Sequence, residues 1–417
     1  YLICIALVGF PIMIAEIIIG RSTSKSPVAA FNELEGKDSL WNSVGKMGIL
    51  AGFVILSYYS VVAGWAMNYF LMSMCHFFNN KNPDQIMKLF GVLVTDGPIN
   101  IFWHFFFMIL TVGIVYNGVQ GGIEKWSRIL MPALFLMMIF LLITGIVLDP
   151  KSFGKALQYV FLPNNKLKPS GALEALGHAF FTLSLGMGAM LTYGSYLSKD
   201  DDIPKSSFWV CVMDTLVALV ACLVIFPILF AFDKNPAAGP GLVFKTMPVL
   251  FSQIKGGLLI SMVFFLLLTF AALTSAISLL EVVVSYCIDN LKWERHKATL
   301  ISGGAIFLFG IPSAMTIFSN WEALYGKNFF DTMDYLASNW LLPLGGLLIA
   351  LYVGWFMDSQ KREEEFMSGT EFNWLYHPWL WILRIVAPIL VFIVLLNKIG
   401  ILPTEVFNQF FYKIFGY

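Results

Sequence analysis

Charge is scarce in this sequence of 417 residues: 12% are Asp, Glu, Lys or Arg, about half the share of an ordinary soluble domain. The formal net charge is zero, so the basic footprint of a nucleic-acid binder is missing. Cysteine is sparse too. Cys4, Cys75, Cys211, Cys222 and Cys287 form no CxxC pair and no metal spacing with histidine. All five lie in or beside apolar runs, where small buried side chains are the plain reading. There is no HExxH and no GxSxG, so no enzyme is expected. An initiating Met and a signal-peptide pattern are also lacking. The chain opens on Tyr1, already inside an apolar run, and the expectation is that sequence preceding it is missing from this chain.

What fills the sequence is apolar: 58% of residues are hydrophobic and mean hydropathy is +0.76. A membrane-spanning helix needs about 20 such residues. Ten runs qualify: 1–20, 48–77, 100–118, 126–148, 171–198, 206–232, 257–288, 297–318, 334–357 and 380–400. In lipid each backbone group must be satisfied within its own segment, so these runs are expected as helices, and the period-2 alternation of a membrane barrel is absent. The fold class is therefore an all-α, polytopic membrane helical bundle. A small excess of Lys and Arg puts the end of the first span in the cytoplasm. Residues 239–254, with Pro240 and Pro248, are too short to span and read as a helical loop on the outer surface. The tail after Leu402 reads as a short amphipathic helix.

Four groups of residues stand out. In Phe180-Phe181-Thr182-Leu183-Ser184-Leu185-Gly186-Met187-Gly188 two glycines flank a methionine mid-span. Glycine costs a helix about 1 kcal/mol, so the helix is either broken at the midplane, as in transporter binding sites, or presents a small-residue packing face. Thr274 and Ser275 are adjacent hydroxyls deep in an apolar helix, one turn from the Ala271 carbonyl. They suit a hard cation, or they simply bond back to their own helix. Glu16, Asp214 and Glu281 are intramembrane acids, expensive in lipid. Glu16 and Glu281 have a structural alternative, bonding unwound backbone. His178 is either a packed hydrogen-bonding residue or a proton carrier. Tyr58 and Tyr59 sit nearer mid-span than an interfacial belt would place them.

Together GFPIMIAEIIIGR, LSYYSVVAGW, GGIEKWSRILMPALF, FFTLSLGMGAMLTYGSYLSKDDD, FAALTSAISLLE and FFDTMDYLA, in this order, resemble the bacterial neurotransmitter:sodium symporter family, which has the leucine-transporter fold. The resemblance implies a single transporter domain over 1–417, with the remainder of a first inverted repeat in 1–148, a second in 171–357, and an extra helix and tail in 380–417. It also implies that the family's first transmembrane helix is missing. By the same resemblance an amino acid would meet Ile55, Tyr59, Phe181, Thr182, Ser184, Met187, Ser275 and Leu279. One sodium ion would keep Thr182 and Asp214, and a second the Ala271 carbonyl, Thr274 and Ser275, both sites incomplete without the missing helix. Phe181 resembles the outer lid, Asp334 the acidic half of the outer gate, and Asp289 with Tyr196 part of the inner gate. The family's chloride-site positions match Tyr1, His178, Thr182, Ala218 and Asp214. Alanine at 218 and a carboxylate at 214 lead to the expectation that chloride is not used.

The expected activity is sodium-coupled symport of a neutral hydrophobic, aromatic amino acid by alternating access, in the inner membrane. The expected partners are that amino acid, sodium ions and the lipid bilayer, with a homo-oligomer allowed and no nucleic acid. The alternative is a truncated, non-transporting membrane remnant or scaffold. A channel is disfavoured, because discrete hydroxyl sites under an aromatic lid imply occlusion.

Overall fold

The computed structural model describes residues 1–78, 81–162, 169–234, 236, 239–315 and 326–415. Among the described residues every regular element is helical: α1 (Leu2–Thr23), α2 (Pro27–Glu35), α3 (Asn42–Met74), α4 (Pro83–Thr95), α5 (Gly97–Tyr116), α6 (Val119–Leu148), α7 (Pro150–Phe161), α8 (Ser170–Thr182), α9 (Ala189–Gly194), α10 (Ile203–Ala231), α11 (Met247–Gln253), α12 (Gly257–Leu291), α13 (Arg295–Ala314), α14 (Phe329–Phe356), α15 (Ser359–Met367), α16 (Asn373–Lys398) and α17 (Thr404–Phe415). Nine of these are long and apolar enough to cross a membrane. The tenth expected span, 171–198, is two half-helices, α8 and α9, separated by turns at 183–188. Residues 316–318 of the expected span 297–318 lie outside the described residues.

Two stretches taken as loops by hydropathy are helical. Residues 78–99 hold α4, whose N-terminus is a reciprocal capping box: Gln85 N–H donates to Asn82 Oδ1 at 2.9 Å and Asn82 N–H to Gln85 Oε1 at 3.0 Å. Residues 149–170 hold α7, started by Asp149, which accepts from the N–H groups of Lys151 and Ser152. Both are amphipathic and too short to span, so a hydropathy window passes over them. Residues 242–253 are helical, ending in α11, and the tail forms α17, as the sequence predicts.

Burial sorts the spanning helices. The most apolar stretches of α1 and α3 are 72% and 67% buried in protein, against 28% for both α6 and α10. The first two are central, and the last two face lipid with side chains such as Leu136, Ile143, Met213 and Leu216. α3 runs against α12 along most of its length. α1 meets α9 backbone to backbone: a Cβ on Gly20 would lie 2.0 Å from the Leu191 carbonyl oxygen, and one on Gly194 would lie 2.7 Å from that of Ile17. The broken span is thus held against the bundle centre by small residues, the packing device expected where lipid supplies no hydrophobic drive.

Candidate functional site

The break in the α8–α9 span creates the site. α8 ends in a Schellman-type turn: Leu185 N–H bonds the Phe180 carbonyl at 3.0 Å and Ser184 N–H that of Phe181 at 3.2 Å. Ser184, with φ +55°, takes the left-handed position. Gly186 and Gly188 follow at φ +75° each. At Gly186 a side chain is doubly barred, because a Cβ would also stand 2.3 Å from the Leu342 carbonyl oxygen. The amide freed by unwinding is satisfied from another helix: Gly186 N–H donates to Glu16 Oε1 at 2.7 Å. Glu16 is fully buried, so it plays the structural part allowed for it, bonding unwound backbone. Glu281 does not. Its carboxylate takes a bidentate pair from Arg295, at 2.7 and 2.9 Å, and the Tyr196 hydroxyl at 2.5 Å.

A cavity of about 250 Å³ opens beside the break. All eight residues that the resemblance assigns to substrate line it, and Ala189, Asp214 and Ser278 complete the lining. Helical spacing explains the set. Ile55 and Tyr59 are one turn apart on α3. Ser275, Ser278 and Leu279 share one face of α12. Ser278 also accepts or donates a 2.6 Å bond with the Tyr193 hydroxyl of α9. Neither Ser278 nor Tyr193 was singled out from the sequence, although Ser278 sits one turn beyond Ser275.

At one edge of the cavity oxygen atoms converge. The Tyr1 hydroxyl donates to Asp214 Oδ2 at 2.9 Å and lies 3.0 Å from Thr182 Oγ1. His178 meets the Tyr1 ring edge-on at 5.5 Å. Ala218 stands one turn along α10 from Asp214. On α12, Thr274 Oγ1 and Ser275 Oγ both donate to the Ala271 carbonyl, at 2.9 and 3.3 Å. This is the back-bonding geometry weighed as the alternative for these hydroxyls. It leaves the hydroxyl lone pairs as neutral oxygen donors of the kind a hard monovalent cation takes, while the Ala271 carbonyl already accepts both hydroxyls. Of that second set only Ser275 reaches the cavity wall.

The gate positions fall on separate networks. Phe181 borders the cavity and is 37% exposed. Asp334 Oδ1 accepts from the Tyr58 hydroxyl at 3.0 Å and from Ser338 at 3.1 Å. Tyr58 precedes the cavity residue Tyr59, so one turn of α3 serves both. At the other end Tyr196 bonds Glu281, while Asp289 Oδ2 accepts the Ser26 N–H at 2.6 Å. No hydrogen bond joins Tyr196 to Asp289. Arg295, the partner of Glu281, lies between the expected spans 257–288 and 297–318, where a charge draws no notice in the sequence.

The family model described as the sodium:neurotransmitter symporter family matches residues 86–417. An uncharacterised sodium-dependent transporter of Bacillus subtilis, YhdH, is 36% identical over 400 residues, covering 95% of this chain and 88% of its own. A second uncharacterised sodium-dependent transporter, from Haemophilus influenzae, is 30% identical over 412 residues, with 95% and 89% covered. Among solved structures, that of MhsT in complex with L-phenylalanine superposes with a TM-score of 0.86 at 39% identity, covering 95% of this chain and 90% of that one.

Proposed function

The chain belongs to the sodium:neurotransmitter symporter family, a family of multi-pass membrane transporters, and from that premise we propose that its cargo is an aromatic or similarly large hydrophobic amino acid. Sodium-coupled transport of amino-acid-type substrates is the family's activity. The cavity lining supports the finer reading. Ile55, Phe181, Met187 and Leu279 supply its apolar walls, and no Lys or Arg is among its lining residues. An acidic side chain would find no Lys or Arg there, and a glycine would leave the apolar walls uncovered. Met187 stands between the two left-handed glycines, where a flexible thioether can repack around a ring. The phenylalanine bound to MhsT agrees with this choice.

In this reading the substrate carboxylate meets the Tyr59 hydroxyl, and the side chain lies against Phe181 and Met187. One sodium ion takes Thr182 Oγ1 and Asp214. A second takes the Ala271 carbonyl with Thr274 and Ser275. The carbonyl end of α8 favours a cation by its dipole. Because ion and amino acid bind the same conformation, each raises the other's affinity by the same factor. Residues 1–148 are the remainder of the first repeat and 171–357 the second, and the broken span α8–α9 rocks relative to the scaffold helices to open the site inward. Asp214 supplies the fixed negative charge beside sodium, so chloride is not required.

Sodium-dependent uptake of labelled phenylalanine into proteoliposomes, competed by a panel of amino acids, tests the cargo. Phenylalanine, tyrosine, tryptophan and leucine should compete best. Glycine or glutamate competing more tightly than the aromatics would overturn the assignment.

A further inference from the structure

Away from the transport cavity, α5 and α13 frame a groove of about 380 Å³ on the membrane-facing side of the bundle. Its walls are apolar: Ile109, Val112 and Gly113 from α5, with Leu300, Gly304 and Phe307 from α13. Ile109 and Leu300 are exposed. Two glycines keep the groove deep. A Cβ added at Gly113 or Gly304 would meet nothing within 4 Å, so neither glycine is demanded by helix packing there. The groove ends at Tyr116, whose ring stacks on His296 at 4.2 Å.

The helix register then places charge at that end. His296, Leu300, Gly303, Gly304 and Phe307 recur at the 3.6-residue period, so the face that lines the groove begins at His296. Lys297 flanks it, and its ammonium lies 5.1 Å from the Trp293 ring centre. Both residues are exposed. The neighbouring cations are spent: Arg295 on Glu281 and Arg128 on Glu124. Lys292 and Lys297 have no ion pair among the described residues; of the two acids nearest them in sequence, Asp289 accepts the Ser26 N–H and Glu294 is exposed. Arg295 packs against the turn at Gly118 that follows α5, so these residues lie together at the basic end of the molecule. An apolar slot opening to lipid and closing on lysine, imidazole and indole groups has the chemistry of a phospholipid with an anionic head.

We propose that this groove is a binding site for an anionic diacyl phospholipid, with one acyl chain along Ile109, Gly113 and Gly304 and the phosphate at Lys297 and His296. A basic side chain at the membrane surface contributes about a fivefold preference for an anionic lipid. The test is native mass spectrometry of the purified full-length protein, titrated with phosphatidylglycerol or with phosphatidylcholine of the same acyl chains. Wild type should retain phosphatidylglycerol at least about fivefold better. Lys297→Gln should bring that ratio close to one while leaving phosphatidylcholine retention unchanged. Gly304→Leu, which fills the slot without touching the charges, should release the lipid while sodium-dependent substrate binding persists. Equal retention of the two lipids by wild type, or an unchanged ratio in the lysine variant, overturns the proposal. So does displacement of phosphatidylglycerol by inorganic phosphate alone, because the acyl chain would then contribute nothing.

Discussion

The loop that follows the broken span is fastened by one carboxylate, and removing it should both destabilise the protein and loosen its basic end. Glu365 on α15 is 4% exposed and faces two cations. Arg21, at the end of α1 and with its side chain fully buried, donates from Nε to Glu365 Oε2 at 2.9 Å. It also donates to the Glu365 carbonyl, to the Asp201 carbonyl at 2.5 Å and to the Ser198 carbonyl at 3.4 Å. Lys199 contacts the other carboxylate oxygen, but it is 63% exposed, and such a pair contributes at most about 1 kcal/mol. The Arg21 pair decides the outcome. Breaking a buried pair by removing one partner costs roughly 3–5 kcal/mol, because the other charge stays in low dielectric. At about 2.1 cal/mol/K per residue, that is a fall in Tm of roughly 3–6 °C for Glu365→Ala. Glu365→Gln keeps an acceptor for Nε and should fall less. Arg21→Met combined with Glu365→Met should recover most of the loss, since two apolar side chains leave no orphaned charge. Residues 198–201 follow α9 directly, so the freed loop should also let that half-helix leave α1. Substrate affinity should drop in proportion, with maximal transport less affected. Thermal unfolding of the purified protein and equilibrium binding of labelled phenylalanine measure the two effects. A Tm within about 1 °C of wild type in Glu365→Ala would refute the reasoning.

Three further outcomes follow from the site. Thr274→Ala with Ser275→Ala should abolish sodium-driven uptake while the helix stays intact, since both hydroxyls back-bond to the Ala271 carbonyl of their own helix and the backbone ladder does not depend on them; uptake that keeps its sodium dependence would remove the second cation from these residues. Gly186→Ala should cost about 1–3 kcal/mol of stability and abolish transport, because the left-handed backbone and the Leu342 carbonyl both oppose a Cβ; normal uptake kinetics would show that the turn is not needed in this form. Replacing chloride by gluconate should leave wild-type uptake unchanged, whereas Asp214→Asn with Ala218→Ser should make uptake chloride-dependent; a large loss in wild type would refute Asp214 as the built-in counter-charge.

What the sequence discloses here and what it hides divide along range of interaction. The break at Ser184–Gly188 is written locally, since two glycines around one residue are costly in a helix and the turn needs left-handed φ. The cavity residues are nearly as legible, because 55 and 59, or 275 and 279, are paired by helical spacing alone. What the sequence leaves open is which distant groups meet. Glu16 and Glu281 are equivalent in one dimension, each a lone acid in an apolar helix. Folding sends Glu16 to an amide 170 residues away and Glu281 to a guanidinium only 14 residues away. The second pairing hides because Lys292, Trp293 and Glu294 reverse the chain between α12 and α13. That turn brings a residue counted as loop charge back beside its own preceding helix. The two amphipathic helices α4 and α7 escape for the opposite reason: their signal is periodicity, and a search for long apolar runs averages periodicity away. Arg21 combines both difficulties. It reads as the positive flank that ends a span, yet it is buried, because α15, more than 300 residues later, returns to cover it. A basic residue at a span's end therefore has two fates, solvent or a buried latch. The choice between them is made by a partner that only the fold supplies.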